Sequence, residues 1–247
     1  MKRIKLTVAY DGTNYCGWQI QDNGITIEEV LNRELSKLLQ EDIKIIGASR
    51  TDSGVHALGN VAVFDTETRI PPEKISFALN QRLPDDIRIQ ESCQVADDFH
   101  PRFCDTIKTY EYRNSGMTSS RIPLCAALLR SFVISMLISR KMEQAAAYLV
   151  GEHDFKSFCT PRTQVESTVR TVTEISFRTE GKMIIMTIRG TGFLYNMVRI
   201  IMGTLLKCGM NMYPPEHVKE ILDAKDRAAA GPKAEACGLQ LVGIEYL

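Results

Sequence analysis

The chain has 247 residues, 44% hydrophobic and 24% charged, which is the composition of a globular protein long enough to bury its own core. Lys plus Arg and Asp plus Glu number 30 each, so a polyanionic partner must be met by a local basic surface and not by an average excess of charge. Seven scattered cysteines, an odd count with no C-x-x-C pair, argue against a disulfide framework or a structural zinc site and suit a reducing, cytoplasmic setting.

In chain order, Met1–Val8 is short and strand-like, so no signal peptide is expected. Lys5–Tyr10 alternates as a strand. Tyr10–Gln19 is turn-rich and holds the only tryptophan, Trp18. Thr26 and Glu29 have capping-box spacing, and Ile27, Val30, Leu31, Leu35, Leu38 and Leu39 recur at helical intervals, which predicts a helix over Thr26–Gln40. Short strands are expected at Ile43–Ile46 and Val61–Phe64, with the polar stretch Gly-Ala-Ser-Arg-Thr-Asp-Ser-Gly-Val-His-Ala (Gly47–Ala57) between them. Pro71 and Pro72 open a second helix, which Pro84 ends. Ile87–Val95 is a strand, 97–103 a polar-aromatic loop, and Ile107–Asn114 a strand with Tyr110 and Tyr112 on one face.

The second part of the chain starts with a linker or surface loop at Gly116–Pro123 and a strand at Leu128–Ile134. The most apolar stretch, Ile122–Ile138, is cut by Arg130 and is too short to span a bilayer. A short helix is expected at Lys141–Val150 and a polar-aromatic loop at Gly151–Phe158. Val169–Phe177 and Met183–Arg189 form strands about a turn at Glu180–Gly181. An apolar helix follows at Phe193–Lys207, then a helix at Pro214–Ala224, a loop at Gly231–Gly238 and a last strand at Leu239–Tyr246. Strands come in pairs and do not alternate with every helix, so the expected class is α+β.

No phosphate-binding glycine loop, dinucleotide fingerprint, H-E-x-x-H or G-x-S-x-G occurs, and the four histidines are far apart in sequence. No nucleotide cofactor and no metal is therefore expected, and the chemistry falls to side chains. Asp52 is the best candidate nucleophile or base, although an Asp beside Ser and Gly is also an ordinary turn residue. Arg199 sits in an apolar helix with no acidic neighbour at helical spacing; it either takes a carboxylate from elsewhere in the fold or snorkels to solvent. Tyr110 is a third candidate, with core packing as the alternative. His100 and Arg102 flank Pro101 in a loop where a solvated turn is equally natural.

Six ordered blocks carry a resemblance. Gly47–Ala57 resembles the G-R-T-D-x-G-V-H-A motif of the tRNA pseudouridine synthase A family, and Tyr10–Gln19 its Y-D-G-T-x-Y-x-G-W-Q opening. Phe99-His-Pro-Arg-Phe103 with Lys108–Tyr112 resembles F-H-A-R-F…Y-x-Y, Gly151–Phe155 resembles G-x-H-D-F, and Gly192–Arg199 resembles the F-L-x-x-M-V-R helix. Gly231-Pro232 and Gly238-Leu239 are similar to the closing pattern. Ser49 stands where Gly is frequent, Pro101 where Ala is usual, and Gly190-Thr-Gly192 where an Asn is usual.

The resemblance implies isomerisation of uridine to pseudouridine at tRNA positions 38 to 40, without cofactor. It implies Asp52 as the essential carboxylate, Arg199 as its ion-pair partner and Tyr110 stacked on the flipped base. Arg50, His100, Arg102 and Phe193 would contact the RNA. The implied fold has two similar halves, 1–105 carrying the carboxylate loop and 106–247 completing the cleft and a dimer surface. Their antiparallel-rich mixed sheets join, with helices on one side and the active cleft between the halves. The expected partners are tRNA and a second copy of the chain. Two other readings compete with this one: a non-catalytic RNA-binding protein, and a hydrolase using Asp52 and His56, which lacks a nucleophile–base–orienter set.

Overall fold

The computed structural model describes residues 1–115, 139–160, 165–181 and 183–247. The chain forms two compact units, Met1–Thr106 with Gln240–Leu247, and Ile107–Leu239. The expected linker at Gly116–Pro123 and strand at Leu128–Ile134 lie outside the described residues.

In the first unit, β1 (Lys2–Tyr10) alternates as its sequence predicts, burying Ile4, Leu6, Val8 and Tyr10. It pairs antiparallel with β3 (His56–Thr66) on one side and β4 (Ile87–Val95) on the other. β3 also takes β2 (Ile46–Gly47) antiparallel and β9 (Leu239–Tyr246) parallel, through His56–Gln240 and Ala57–Leu241. The sheet is thus mixed but mostly antiparallel. Gln240–Leu247 therefore belongs by contact to the first unit, whereas chain order groups it with 106–247; a parallel pairing to a distant strand leaves no local trace in sequence.

Helix α1 (Ile27–Leu39) begins as expected: the Glu29 amide donates to Thr26 Oγ1 (3.3 Å), and Thr26 is fully buried. Its apolar stripe, Ile27, Val30, Leu31, Leu35 and Leu39, is buried, and each fully buried aliphatic side chain contributes about 1.5–3 kcal/mol. Gln40 closes it in the left-handed conformation. α2 (Ile75–Asn80) packs on β4 and buries Ile75 and Leu79. The strand expected at Ile43–Ile46 shrinks to β2, because Ile43 and Ile45 hydrogen-bond to Ser36 Oγ and Asn32 Oδ1 of α1 and not to a neighbouring strand.

Among the described residues the strands of the second unit pair antiparallel, in the order β5 (Thr106–Ser115), β8 (Met183–Gly190), β7 (Val169–Glu180), β6 (Gly151–Asp154). β6 replaces part of the loop expected at Gly151–Phe158; its polar sequence pairs with β7 through backbone bonds. Residues 139–146 form α3, followed by a short 3-10 turn at Ala147–Leu149. α4 (Met197–Gly209) is buried on nearly every face. It begins four residues later than expected because Asn196 is left-handed (φ 62°) and interrupts the helical path. α5 (His217–Ala224) likewise starts after a turn at Pro214 and Pro215, where the His217 amide donates to Pro214 C=O. Among the described residues no helix is long and apolar enough to cross a membrane.

Candidate active site

Asp52 lies on the loop between β2 and β3, half-buried, and the stretch 10–19 is its buttress. The Trp18 amide donates to Thr51 C=O (3.1 Å), the Gly54 amide to Tyr15 C=O (3.4 Å), and Ser53 Oγ to Tyr15 C=O (3.2 Å). Gly17 permits this approach. Its φ is +89°, and a Cβ there would stand 2.6 Å from Thr51 O. The tryptophan ring covers Gly47 so closely that a Cβ would fall 2.3 Å from Trp18 Nε1.

A buried polar network fastens the other side of the loop. Asn60 is fully buried in the middle of β3; its Nδ2 donates to Ser49 C=O (3.0 Å) and to Tyr10 OH (3.4 Å). Tyr10 OH in turn lies 2.8 Å from Thr51 Oγ1, and Asn60 Oδ1 accepts from the Val61 amide (2.9 Å). The loop is thus anchored through the residues on either side of Asp52, which fixes the backbone that carries the carboxylate. Ser49 departs from the family's Gly here, and its buried hydroxyl has no hydrogen-bond partner among the described residues.

His56 serves the buttress too. Its Nδ1 is 3.2 Å from the Gly12 amide nitrogen and 3.0 Å from Asp11 Oδ1. Two hydrogen bonds from Thr13 hold the Asp11 carboxyl below the usual carboxylate range, with a smaller contribution from His56.

The loop 97–105 brings further predicted residues to the same place. Arg102 Nε donates to Gly47 C=O (2.7 Å), tying the F-H-P-R-F segment to the first residue of the Asp52 stretch. Burial lowers the Arg102 pKa, and the neighbouring Arg50 guanidinium lowers it further, so two cations adjoin beside the loop; Glu28 opposes them. Arg50 itself is exposed, and His100 Nδ1 accepts the Arg102 amide (3.2 Å). Arg50, Asp52, His100 and Arg102 are therefore grouped within the first unit.

The second unit holds the other three. Arg199, in the first turn of α4, is buried. Its Nε donates to Ala234 C=O (2.8 Å) and its Nη1 to Asn196 Oδ1 (3.2 Å), while the Ala234 amide returns to Arg199 C=O (3.1 Å). The Gly231–Pro232 segment delivers Ala234 by lying directly on α4. A Cβ on Gly203 would stand 1.8 Å from Pro232 O, and Thr204 Oγ1 accepts the Gly231 amide (2.9 Å). The snorkelling alternative for Arg199 is thereby excluded.

Tyr110, on β5, is buried and meets Phe193 edge-on at 5.3 Å and 84°. Tyr112, two residues on, is structural. Its hydroxyl donates to Glu235 C=O (2.9 Å), and burial pushes its pKa up to about 12.

Tyr10, Gly17, Asn60 and Ala234 act through contacts far apart in the chain. Tyr10 and Gly17 stand in the block Tyr10–Gln19, but their work of holding the Asp52 loop does not show in it. The signal at Asn60 is a polar residue inside an apolar strand, which has to find partners if buried. Among the described residues, no group of three or more His, Cys, Asp or Glu side chains is arranged to hold a metal ion.

Known proteins place this architecture in a class. The family model described as tRNA pseudouridine synthase matches residues 6–104 and 145–247, well over half the chain. Proteins named tRNA pseudouridine synthase A from Acetivibrio thermocellus and Ruminiclostridium cellulolyticum are 42% and 46% identical to it, in each case over 100% of both chains. A protein of Clostridium perfringens named tRNA pseudouridine synthase A 2 is 44% identical, again over 100% of both. The chain belongs to the tRNA pseudouridine synthase family.

Proposed function

We propose that this chain isomerises uridine to pseudouridine in the anticodon arm of tRNA, at positions 38, 39 and 40. The observation that carries the reading is identity of 42–46% over the full length of relatives that bear the synthase name. The N1–C1′ bond breaks, the base turns while still bound, and C5 bonds to C1′; the C5 proton is lost and N1 gains one, so the reaction is balanced without water, oxidant or cofactor.

Asp52 is the essential carboxylate in this reading. It either attacks C1′ or deprotonates the sugar so that a glycal forms. Arg199 is the ion-pair partner of Asp52 in the same reading. A close guanidinium keeps a carboxylate ionised where burial alone would neutralise it, in a site dry enough to keep water from the detached base. Support comes from the way Arg199 is held: its guanidinium is buried in the first turn of α4, fixed by Ala234 C=O and Asn196 Oδ1, so its position is set before any ligand arrives.

The target base must leave the helical stack to react. Tyr110 stacks on it and is the candidate to take the C5 proton, with Phe193 supporting its ring. Arg50 holds the RNA through phosphate or through the gap left by the flipped base, and His100 and Arg102 bind beside it. A homodimer forms the tRNA groove, and the enzyme works in the cytoplasm.

Tritium release from tRNA labelled at uridine C5 tests the reading. The wild-type chain is expected to release tritium and Asp52→Ala is not. No release by the wild type overturns the isomerase, and release by Asp52→Ala overturns the role of Asp52.

A further inference from the structure

We propose that the open face of Phe103 is a stacking platform for an unpaired base of the RNA substrate, with Arg102 and Arg50 taking the adjoining phosphates. The inference rests on the tRNA reading above and adds a positioning residue to it. Phe103 is 84% exposed, more than any other aromatic side chain described. An isolated exposed ring needs no explanation, but this one is organised. It lies face to face with the His100 ring, centroids 4.0 Å apart and planes 17° from parallel, so one face is covered and the other is presented to solvent.

The loop that presents the ring is tied at many points. The Phe103 amide donates to His100 C=O (3.2 Å) and Cys104 Sγ to the same oxygen (3.3 Å). Tyr246 OH donates to Pro101 C=O (3.2 Å), the Leu247 amide to Asp105 C=O (3.0 Å), and Arg3 Nη1 to Phe99 C=O (3.1 Å). Phe99 packs on Tyr246 with ring centroids 5.1 Å apart. A loop fastened this way displays its ring in one place, so little ordering is required when a ligand arrives.

The surrounding charge selects the ligand. Arg102 adjoins Arg50, while the acidic residues of the same loop, Asp97 and Asp98, act on Arg3. An exposed aromatic face in a loop whose neighbouring residue Arg102 adjoins Arg50 combines the two elements that hold single-stranded nucleic acid: the base stacks and the phosphates pair with the cations. Every base has a π-face, so the platform selects unpaired nucleotides without reading their identity.

The test compares Phe103→Ala, Phe103→Leu and Phe103→Trp in the full-length protein. Affinity for anticodon-arm tRNA is measured at two salt concentrations, tritium release gives kcat and KM, and sedimentation gives the oligomeric state. Loss of a base stack is expected to raise Kd and KM about ten-fold in the Ala and Leu variants. The same variants should keep kcat within about two-fold. The salt dependence of binding should not change, since no charge is lost. Trp should behave as Phe. Wild-type Kd and KM in Phe103→Ala overturn the platform, and so does a loss in Phe103→Trp equal to that in Phe103→Ala. A changed oligomeric state in Phe103→Ala overturns it in favour of a contact between copies. Failure of the wild-type protein to act on tRNA would instead overturn the synthase reading itself.

Discussion

The two units secure their principal charged residue in opposite ways. Around Asp52 the loop backbone is fastened: Thr51 and Ser49 take the hydrogen bonds of Trp18, Tyr10 and Asn60. Arg199 is fastened at its head group, by Ala234 C=O and Asn196 Oδ1, on a helix that is itself buried. The difference suits a division of labour. In the first unit the backbone of a loop sets where the side chain starts, and in the second the head group itself is held.

The sharpest way to break the comparison is to remove the reacting group alone. Asp52→Asn should fold as the wild type does, bind tRNA and lose about a thousand-fold or more of tritium release. Next comes the tied guanidinium. Arg199→Ala should cost about a hundred-fold in turnover. It should also cost about 1–3 kcal/mol of stability, because the Ala234 carbonyl and Asn196 lose their partner; chemical denaturation measures this. Arg199→Lys keeps the charge but not the fork that reaches both acceptors, so it should recover only part of either loss.

The buttress sharpens the contrast from the other side. Gly17→Ala forces a side chain to φ +89° and to within 2.6 Å of Thr51 O. It should lower turnover with Asp52 untouched, at a stability cost of about 1–3 kcal/mol. Normal kcat in that variant would mean that the backbone fastening does not position the carboxylate.

The smallest effect belongs to a pair in neither site. Arg3 Nη2 and Asp65 Oδ2 are 2.7 Å apart, and hydrogen bonding to Arg3 lowers the Asp65 pKa in the folded state. The stabilisation is therefore present above the unfolded carboxyl pKa and is lost as pH falls through the folded one. With the Asp65 side chain 34% exposed, solvent screening limits it to about 0.5 kcal/mol. Asp65→Asn should be slightly less stable at neutral pH, and the gap should close below about pH 4 in thermal melts.

Much of this molecule is legible from local pattern. β4 and β9 fall on the residues their sequences predict, because each is a short β-rich run bounded by turn or loop signals. The stripe and cap of α1 are equally plain. Pattern fails where a distant partner decides. The pairing of β6 and the parallel β3–β9 contact depend on residues far along the chain, and β2 shrinks because side chains of α1, not a strand, take the amides of Ile43 and Ile45. The late start of α4 turns on one left-handed Asn, whose side chain reaches both Arg199 and Thr160. In the candidate site, the charged residues announce themselves by type, and Tyr10 and Gly17 stand in a block that carries the resemblance, while the part they play with Asn60 in holding the loop shows only in the contacts.

The parallel pairing of β3 with β9 bears on the order in which the nascent chain can fold. His56 and Ala57, which close the Asp52 loop, find their partners at Gln240 and Leu241, so the first unit cannot complete its sheet until ribosomal synthesis has passed residue 241. Most domains fold from the N-terminus as they emerge, but here β3 waits with an open strand edge for a segment made much later. A contact of such long sequence separation slows folding. It also means that chains stalled before residue 240 lack the strand beside the loop, which ties maturation of the site to the synthesis of β9.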